Sequence, residues 1–207
     1  MTEPAMAPRN APPDQAVTGL ILAGGLGRRM SADGRGTDKG LQPLRGRPMV
    51  EHVIERLRPQ VDALLISANR NLERWRAFGY PVLPDEIGGF AGPLAGLHAG
   101  LRATATRWLV TAPCDSPFLP VDLVERLAAA IRAEGVRVAV ARTGTQVHPV
   151  FMMVERAALA GLEAFLAEGH RKAEAWYATQ PFAEVDFGDE AAFINLNTPE
   201  ELRSADA

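Results

Sequence analysis

The chain has 207 residues, of which 47% are hydrophobic and 23% charged, and this balance excludes intrinsic disorder for most of its length. A net charge of −3 argues against a nucleic-acid partner, and no apolar run approaches the roughly 20 residues of a membrane span. Cys114 is the only cysteine, which excludes an intrachain disulfide. Because the N-terminus also has no signal pattern, we expect a cytoplasmic protein without a membrane partner.

The first predicted element is a tail followed by a buried strand. Residues 1–16 are rich in proline and have no apolar periodicity, so we expect a disordered tail. Residues 17–23 form a short apolar run that ends abruptly at Gly24, which is typical of a strand buried on both faces. A stretch too rich in glycine for a helix follows as far as Gly46. We interpret residues 17–207 as one domain.

From Pro48 onward, helical and strand patterns alternate. An apolar stripe or an initial proline predicts helices over 48–59, 71–78, 93–101, 119–133 and 157–166, and one that begins at 199. Short apolar runs predict strands over 61–67, 80–83, 108–112, 150–154 and 193–196. Regular alternation to about Ala141 predicts an α/β protein, a Rossmann-like, mostly parallel sheet with helices on both faces and a less regular C-terminal third.

The turn after the first strand, from Leu22 to Met30, is a candidate anion site. Ligands of such a sheet lie beyond the carboxyl ends of its strands, and glycine amides approach an anion without an intervening Cβ. The turn lacks the Gly-Lys-Ser/Thr triplet of a P-loop, and Met30 replaces the third glycine of the dinucleotide fingerprint. Neither of these two phosphate-binding patterns therefore fits.

An ordered set of separated motifs is far more specific than this turn. The motifs are Leu22-Ala23-Gly24-Gly25, Arg28-Arg29-Met30, Asp38-Lys39, Gly46-Arg47-Pro48, Asn69-Arg70, Pro84-Asp85, Gly92-Pro93-Leu94-Ala95-Gly96, Pro113-Cys114-Asp115-Ser116-Pro117, His148-Pro149 and Asn195-Leu196-Asn197-Thr198-Pro199-Glu200-Glu201-Leu202. Together they resemble nucleotidyltransferases of Rossmann-like fold, and among these most closely the molybdenum cofactor guanylyltransferases. The resemblance covers nearly all of residues 17–205.

The resemblance implies transfer of GMP from Mg-GTP to the terminal phosphate of molybdopterin, with release of pyrophosphate and formation of the guanine dinucleotide cofactor. Such a transfer needs positioning and charge neutralisation more than covalent chemistry. Lys39 is expected to hold the triphosphate, Arg29 to meet the developing charge or the incoming phosphate, and Asp115 to bind Mg²⁺. The remaining implied nucleotide contacts are Leu22, Ala23, Gly24, Gly25, Ser67 and Asp85.

Several of these residues have a structural alternative. Asp115 has the position of a turn or helix-capping aspartate, and Asn197 that of a turn residue before the Thr198 cap. His148, Asn195 and Asn197 are implied contacts of the cofactor substrate, although His148 also suits a purely structural role. Where the family usually has an asparagine, this chain has Ser67, which leaves the guanine preference open.

The role of the link between Met30 and Asp38 and the exact function of the protein each have alternatives. Residues 31–37 are longer than the family's usual link, which suits either a lid ordered by nucleotide or a tolerated insertion. The alternative functions are a related cytidylyltransferase or sugar-phosphate nucleotidyltransferase, or a non-catalytic nucleotide- or cofactor-binding protein. The expected partners are GTP and molybdopterin, with transient contact to molybdoenzymes or cofactor-insertion proteins.

Overall fold

The computed structural model describes residues 14–25, 38–87 and 92–206. Its strands are β1 (Val17–Leu22), β2 (Pro43–Leu44), β3 (Arg47–Pro48), β4 (Ala63–Ser67), β5 (Val82–Leu83), β6 (Trp108–Pro113), β7 (Val138–Thr143), β8 (Gln146–Glu155) and β9 (Phe182–Asp186). Its α-helices are α1 (Met49–Leu57), α2 (Leu72–Arg76), α3 (Pro93–Ala103), α4 (Leu123–Glu134), α5 (Leu159–Ala167), α6 (Ala173–Tyr177) and α7 (Pro199–Asp206). Short 3₁₀ turns lie at Lys39–Leu41, Arg58–Gln60, Arg156–Ala158 and Glu190–Phe193.

One seven-stranded sheet organises the chain. Its strand order is β5-β4-β1-β6-β8-β7-β9, and β2 and β3 form a separate two-stranded sheet. Every neighbouring pair in the large sheet is parallel except the two pairs that involve β8. The predicted α/β class with a mostly parallel sheet is therefore confirmed.

The two faces of the sheet are covered by different helices. Ile21 of β1 packs in a cluster with the apolar sides of α1 and α4, which include Val53 and Leu127. The adjacent Leu20 packs in a second cluster with α3, α5 and α6. Because neighbouring residues of a strand point to opposite faces, a continuous apolar run such as β1 is buried on both sides.

Most predicted elements of the first two thirds are present with small shifts at their ends. The helix predicted from 119 begins at Leu123, since residues 121 and 122 form a turn that is closed by a bond from the Leu123 N–H to the Pro120 carbonyl at 3.4 Å. At the other end of the chain, the predicted capping box forms. The Thr198 hydroxyl accepts from the Glu201 N–H at 3.2 Å, and the Glu201 carboxylate accepts from the Thr198 N–H at 3.1 Å.

The C-terminal third contains the main corrections. β8 runs antiparallel, because only two residues separate it from β7 and so short a turn must reverse the chain. The helix α6 and the strand β9 were not predicted. The strand predicted over 193–196 is wrong, since residues 190–193 form a 3₁₀ turn and 194–196 join no sheet. Phe193 is buried against other aromatic rings, which explains its apolar run without a strand ladder.

The predicted tail, as far as residue 13, lies outside the described residues, and so do Arg28, Arg29, Met30 and the long link 31–37. Within the described ranges, no helix combines the length and the apolar character needed to cross a membrane.

Candidate active site

Three neighbouring parallel strands end together at one edge of the sheet. Leu22 of β1 is paired with Ser67 of β4 on one side and with Pro113 of β6 on the other. The ladder continues one residue further, since the Ala23 N–H bonds the Ser67 carbonyl at 2.8 Å and the Cys114 N–H bonds the Leu22 carbonyl at 3.0 Å. The residues that follow these strands therefore gather at the edge where ligands of such sheets bind.

A partly buried lysine joins two distant parts of the chain at this edge. The Lys39 ammonium donates to Asp115 Oδ2 at 2.9 Å and also to Asn197 Oδ1. The side chains of Lys39 and Asp115 are only 18% and 10% exposed, so water screens their attraction weakly. One carboxylate oxygen and one amide oxygen thus converge on a single cationic group.

A short turn places Lys39 in this position. Lys39 begins the 3₁₀ turn Lys39–Leu41, whose second residue, Gly40, packs against Cys114, the residue directly after β6. A Cβ added to Gly40 would lie 2.8 Å from the Trp75 ring and 2.9 Å from the Cβ of Cys114. Glycine therefore lets the turn lie directly against the residue that precedes Asp115, which brings Lys39 within reach of the carboxylate.

The residue before the lysine is a buried acid. Asp38 is 5% exposed, and its carboxylate accepts from Arg70 Nη2 at 3.2 Å and from Asn71 Nδ2 at 2.6 Å. A buried carboxylate needs such partners, because its unpaired charge would be costly. The segment after β4 therefore fixes the start of the lysine turn.

Residues 195–197 are held across the end of β6. The Leu196 N–H donates to the Asp115 carbonyl at 2.9 Å, and the Ser116 hydroxyl donates to Asn195 Oδ1. The Asn197 side-chain amide donates to the Asn195 carbonyl at 3.1 Å. These hydrogen bonds place Asn197 beside Asp115. The side-chain oxygen of Asn195 is already occupied by the bond from Ser116.

A second group of polar side chains surrounds Asp85, which follows β5. Asp85 Oδ1 accepts from the Ser67 hydroxyl at 3.3 Å, and Oδ2 accepts from Asn69 Nδ2 at 2.7 Å. The Asp85 N–H donates to Asn69 Oδ1 at 2.8 Å. Gly24 lies against this group, since a Cβ there would be 2.9 Å from Asn69 Nδ2. The glycine turn and the Asp85 carboxylate are thus in contact through Asn69.

His148 has contacts of its own, separate from the Lys39 and Asp85 groups. Its Nε2 lies 2.8 Å from the Thr143 hydroxyl, and its ring stacks on Phe193 with 4.6 Å between centroids. Burial lowers the pKa of His148, an effect that the charge of Glu190 partly opposes. The neutral ring therefore predominates at pH 7 in this structure.

Two further predictions concern residues near the glycine turn. Arg29, predicted to meet the developing charge, lies outside the described residues. Cys114 is buried beside Asp115, and burial raises the pKa of its thiol, so the thiol stays protonated and suits a packing role.

Sequence reasoning did not single out Asp38, Arg70 and Asn71 as a connected group. The sequence signal for this group was Asp38 itself, because a carboxylate that is buried beside the site needs hydrogen-bond donors. Asn71 has a left-handed backbone (φ 48°), a conformation that asparagine adopts more readily than most residues. No local pattern relates positions 38 and 71, because the contact depends on how the sheet folds.

Comparison with known proteins shows the family to which this chain belongs. Residues 19–185 match the family model described as the MobA-like NTP transferase domain. The molybdenum cofactor guanylyltransferase of Cupriavidus taiwanensis is 56% identical, over 92% of this chain and 96% of the relative. The protein of the same name from Cupriavidus necator is 55% identical, over 91% of this chain and 95% of the relative.

Solved structures share the fold at lower sequence identity. The molybdopterin-guanine dinucleotide biosynthesis protein A of Archaeoglobus fulgidus superposes with a TM-score of 0.72 and 22% identity, covering 91% of this chain and 96% of that one. The 4-diphosphocytidyl-2C-methyl-D-erythritol synthase of Anaerococcus prevotii gives a TM-score of 0.73 at 13% identity, covering 94% and 96%. These likenesses show the fold alone, whereas the family match and the two relatives show that the chain belongs to the MobA-like NTP transferase family.

Proposed function

We propose that this protein transfers GMP from Mg-GTP to the terminal phosphate of molybdopterin, releasing pyrophosphate and forming the guanine dinucleotide cofactor. Relatives more than half identical over nine tenths of the chain carry the name molybdenum cofactor guanylyltransferase. The structural observation that carries the proposal is the Lys39 ammonium held by Asp115 and Asn197 at the ends of the central parallel strands.

The Asp85 group is suited to a guanine base. Guanine presents two adjacent donors, its ring N1–H and its 2-amino group, and a carboxylate offers two acceptor oxygens. Each carboxylate oxygen has two lone pairs, so the bonds from Ser67 and Asn69 leave each oxygen able to accept another hydrogen bond. The shorter Ser67 thus supports Asp85 where the family usually has an asparagine.

The Lys39 group is suited to the phosphates. The backbone amides of residues 22–25 and the Lys39 ammonium supply the positive potential that a triphosphate needs. An oxygen of the acceptor phosphate forms the new bond to the α-phosphorus, the bond to the bridging oxygen breaks, and pyrophosphate leaves with that electron pair. The acceptor phosphate is already ionised near neutral pH, so the reaction needs no general base and His148 need not supply one.

Asp115 and Asn197 fit a magnesium ion that arrives with the nucleotide. Mg²⁺ prefers oxygen ligands and takes one or two from the protein, with phosphate and water completing its shell. These two side chains already converge on a cation, the Lys39 ammonium. Among the described residues, no three acidic, histidine or cysteine side chains are placed to hold a metal ion by themselves. Held there, the metal would neutralise charge on the phosphates. The Lys39 ammonium, no longer paired with Asp115, would then be available to phosphate oxygens.

The remaining assignments rest on the resemblance. Arg29 is proposed for the incoming phosphate, and His148, Asn195 and Asn197 for the cofactor substrate. We further propose a cytoplasmic location and transient contact with molybdoenzymes or cofactor-insertion proteins, which use the product.

The direct test is incubation of the protein with molybdopterin, Mg²⁺ and each of GTP, CTP and ATP. We expect pyrophosphate and the dinucleotide product from GTP, a much slower reaction with CTP and ATP, and no reaction after chelation of the metal. Equal or faster reaction with CTP would contradict the guanine assignment. Binding of GTP without any pyrophosphate release would favour the non-catalytic alternative.

A further inference from the structure

The three-residue turn after β4, Asn69-Arg70-Asn71, contacts both halves of the proposed nucleotide site. We infer that this turn is a positioning element with two separable tasks: Asn69 sets the carboxylate that reads the base, and Asn71 with Arg70 sets the lysine that holds the phosphates. The inference rests on the proposed function and names residues that act through Asp85 and Lys39.

Asn69 makes a two-point contact with Asp85. Its side-chain amide donates to Asp85 Oδ2 at 2.7 Å, and its side-chain carbonyl accepts from the Asp85 N–H at 2.8 Å. The first bond orients the carboxylate, and the second fixes the backbone that carries it. The close approach of Gly24 leaves no room for a Cβ at that position, so the Asn69 amide occupies the space.

Asn71 and Arg70 act on the other half through Asp38. Asn71 Nδ2 donates to Asp38 Oδ2 at 2.6 Å, and Arg70 Nη2 donates to Asp38 Oδ1 at 3.2 Å. Both oxygens of this buried carboxylate are therefore held, and the next residue is Lys39. Arg70 Nη2 also lies 3.4 Å from the carbonyl of Gly25, which ties the glycine turn to the start of the lysine turn.

The two asparagines permit a matched experiment. Asn69→Asp and Asn71→Asp are the same change of similar size, two positions apart. Each removes a side-chain donor and places a second carboxylate against an existing one, at Asp85 in the first case and at Asp38 in the second. Two carboxylates in contact repel, so one turns away or takes up a proton. Aspartate also tolerates the left-handed backbone of Asn71.

Two readouts separate the halves. The ratio of kcat/KM for GTP to that for ATP reports the base side, and inhibition by inorganic tripolyphosphate with Mg²⁺ reports the phosphate side. For Asn69→Asp we expect the GTP/ATP ratio to fall about tenfold or more, with tripolyphosphate inhibition unchanged within about twofold. For Asn71→Asp we expect the reverse: tripolyphosphate inhibition weakened about tenfold and a GTP/ATP ratio unchanged within about twofold.

A double variant that exchanges the two side chains, and a second pair of uncharged variants, separate the positioning role from a failure to fold. Asp38→Asn combined with Asn71→Asp exchanges the amide and the carboxylate, so it should restore tripolyphosphate inhibition. Asn69→Gly and Asn71→Gly remove the amide without adding charge, and glycine accepts the left-handed backbone of position 71. They should give the same pattern more weakly if an aspartate variant fails to fold. Thermal unfolding of each variant reports folding independently of the two readouts.

Equal changes of both readouts in both variants would overturn the inference and make the turn merely structural. Variants that leave both readouts unchanged would overturn it as well. A wild-type protein that does not distinguish GTP from ATP would overturn the proposed function itself, and that result is obtained before any variant is made.

Discussion

The edge formed by β1, β4 and β6 differs from the C-terminal region around β8 and residues 190–197 in how polar side chains are positioned. At the edge, Ser67 and Asp115 end or closely follow strands that are paired in register, so the sheet itself sets their positions. In the C-terminal region, Asn195 and Asn197 lie outside any strand and are held by bonds to Ser116, Lys39 and their own backbone. The sheet therefore sets the proposed nucleotide contacts Ser67 and Asp115, whereas the proposed acceptor contacts depend on a few individual hydrogen bonds.

The largest expected loss of activity follows substitution of Asp115, where the strand edge contacts the C-terminal region. Asp115→Asn removes the charge that holds Lys39 and that we assign to the metal, so kcat for pyrophosphate release from Mg-GTP should fall about 10²–10³-fold. Asp122→Asn is the matched control, because Asp122 is half exposed and lies 3.8 Å from its nearest cation, Arg126. An Asp115→Asn enzyme that retains its kcat would show that the carboxylate has no catalytic task.

A somewhat smaller effect is expected at the lysine. Lys39→Met keeps the apolar stem and removes the ammonium, so KM for GTP should rise about 10–100-fold through loss of charge-assisted bonds to the phosphates. Lys172, the other lysine of the chain, precedes α6 and is exposed, and Lys172→Met serves as the control. Equal KM values for both variants would remove Lys39 from the phosphate site.

A helical glycine packed against β1 and a helical glycine of the C-terminal third should respond oppositely to a methyl group. In α3, a Cβ at Gly100 would lie 2.6 Å from Leu20 Cδ2, within a close-packed core. Gly100→Ala should therefore destabilise the protein by about 1–3 kcal/mol. In α5, a Cβ at Gly161 would meet only the Gln180 amide at 3.4 Å. Gly161→Ala should stabilise the protein by about 0.5–1 kcal/mol, because alanine favours the helix.

Urea unfolding of both glycine variants measures these changes in the free energy of unfolding. A stabilising Gly100→Ala would mean that β1 and α3 pack less tightly than their contacts indicate, and the contrast between the two regions would be lost.

The smallest effect is a pH dependence in the C-terminal region. Burial lowers the pKa of His148, so the folded protein binds fewer protons there than the unfolded chain does. The stability contributed by neutral His148 is fully present above the unfolded pKa of about 6.5 and is lost as the pH falls through the folded pKa. His148→Gln should flatten the decline of Tm below pH about 6.5, whereas His170→Gln, at an exposed position, should not. Parallel Tm profiles for wild type and His148→Gln would contradict this account.

The same contrast explains what the sequence could predict. Apolar runs that end at Gly24, Ser67 and Pro113 identify strand ends directly, and the parallel-sheet rule then places those ends together. The capping box at Thr198 was equally readable, because its partners are three residues apart. The contacts of Asp38 with Asn71 and of Lys39 with Asn197 were not, since they join positions that only the finished fold brings together. The apolar run around Phe193 was also ambiguous, because a strand and a 3₁₀ turn packed on the core have the same short apolar pattern.

The central claim is that GTP lies across the ends of β1, β4 and β6, with its base at Asp85 and its phosphates at Lys39 and Asp115. A crystal structure of the protein with Mg²⁺ and a non-hydrolysable GTP analogue tests it most directly. We expect guanine donors on the Asp85 carboxylate and the Lys39 ammonium on phosphate oxygens, released from Asp115. A nucleotide bound elsewhere, or Lys39 still paired with Asp115 while the triphosphate lies out of its reach, would contradict the account.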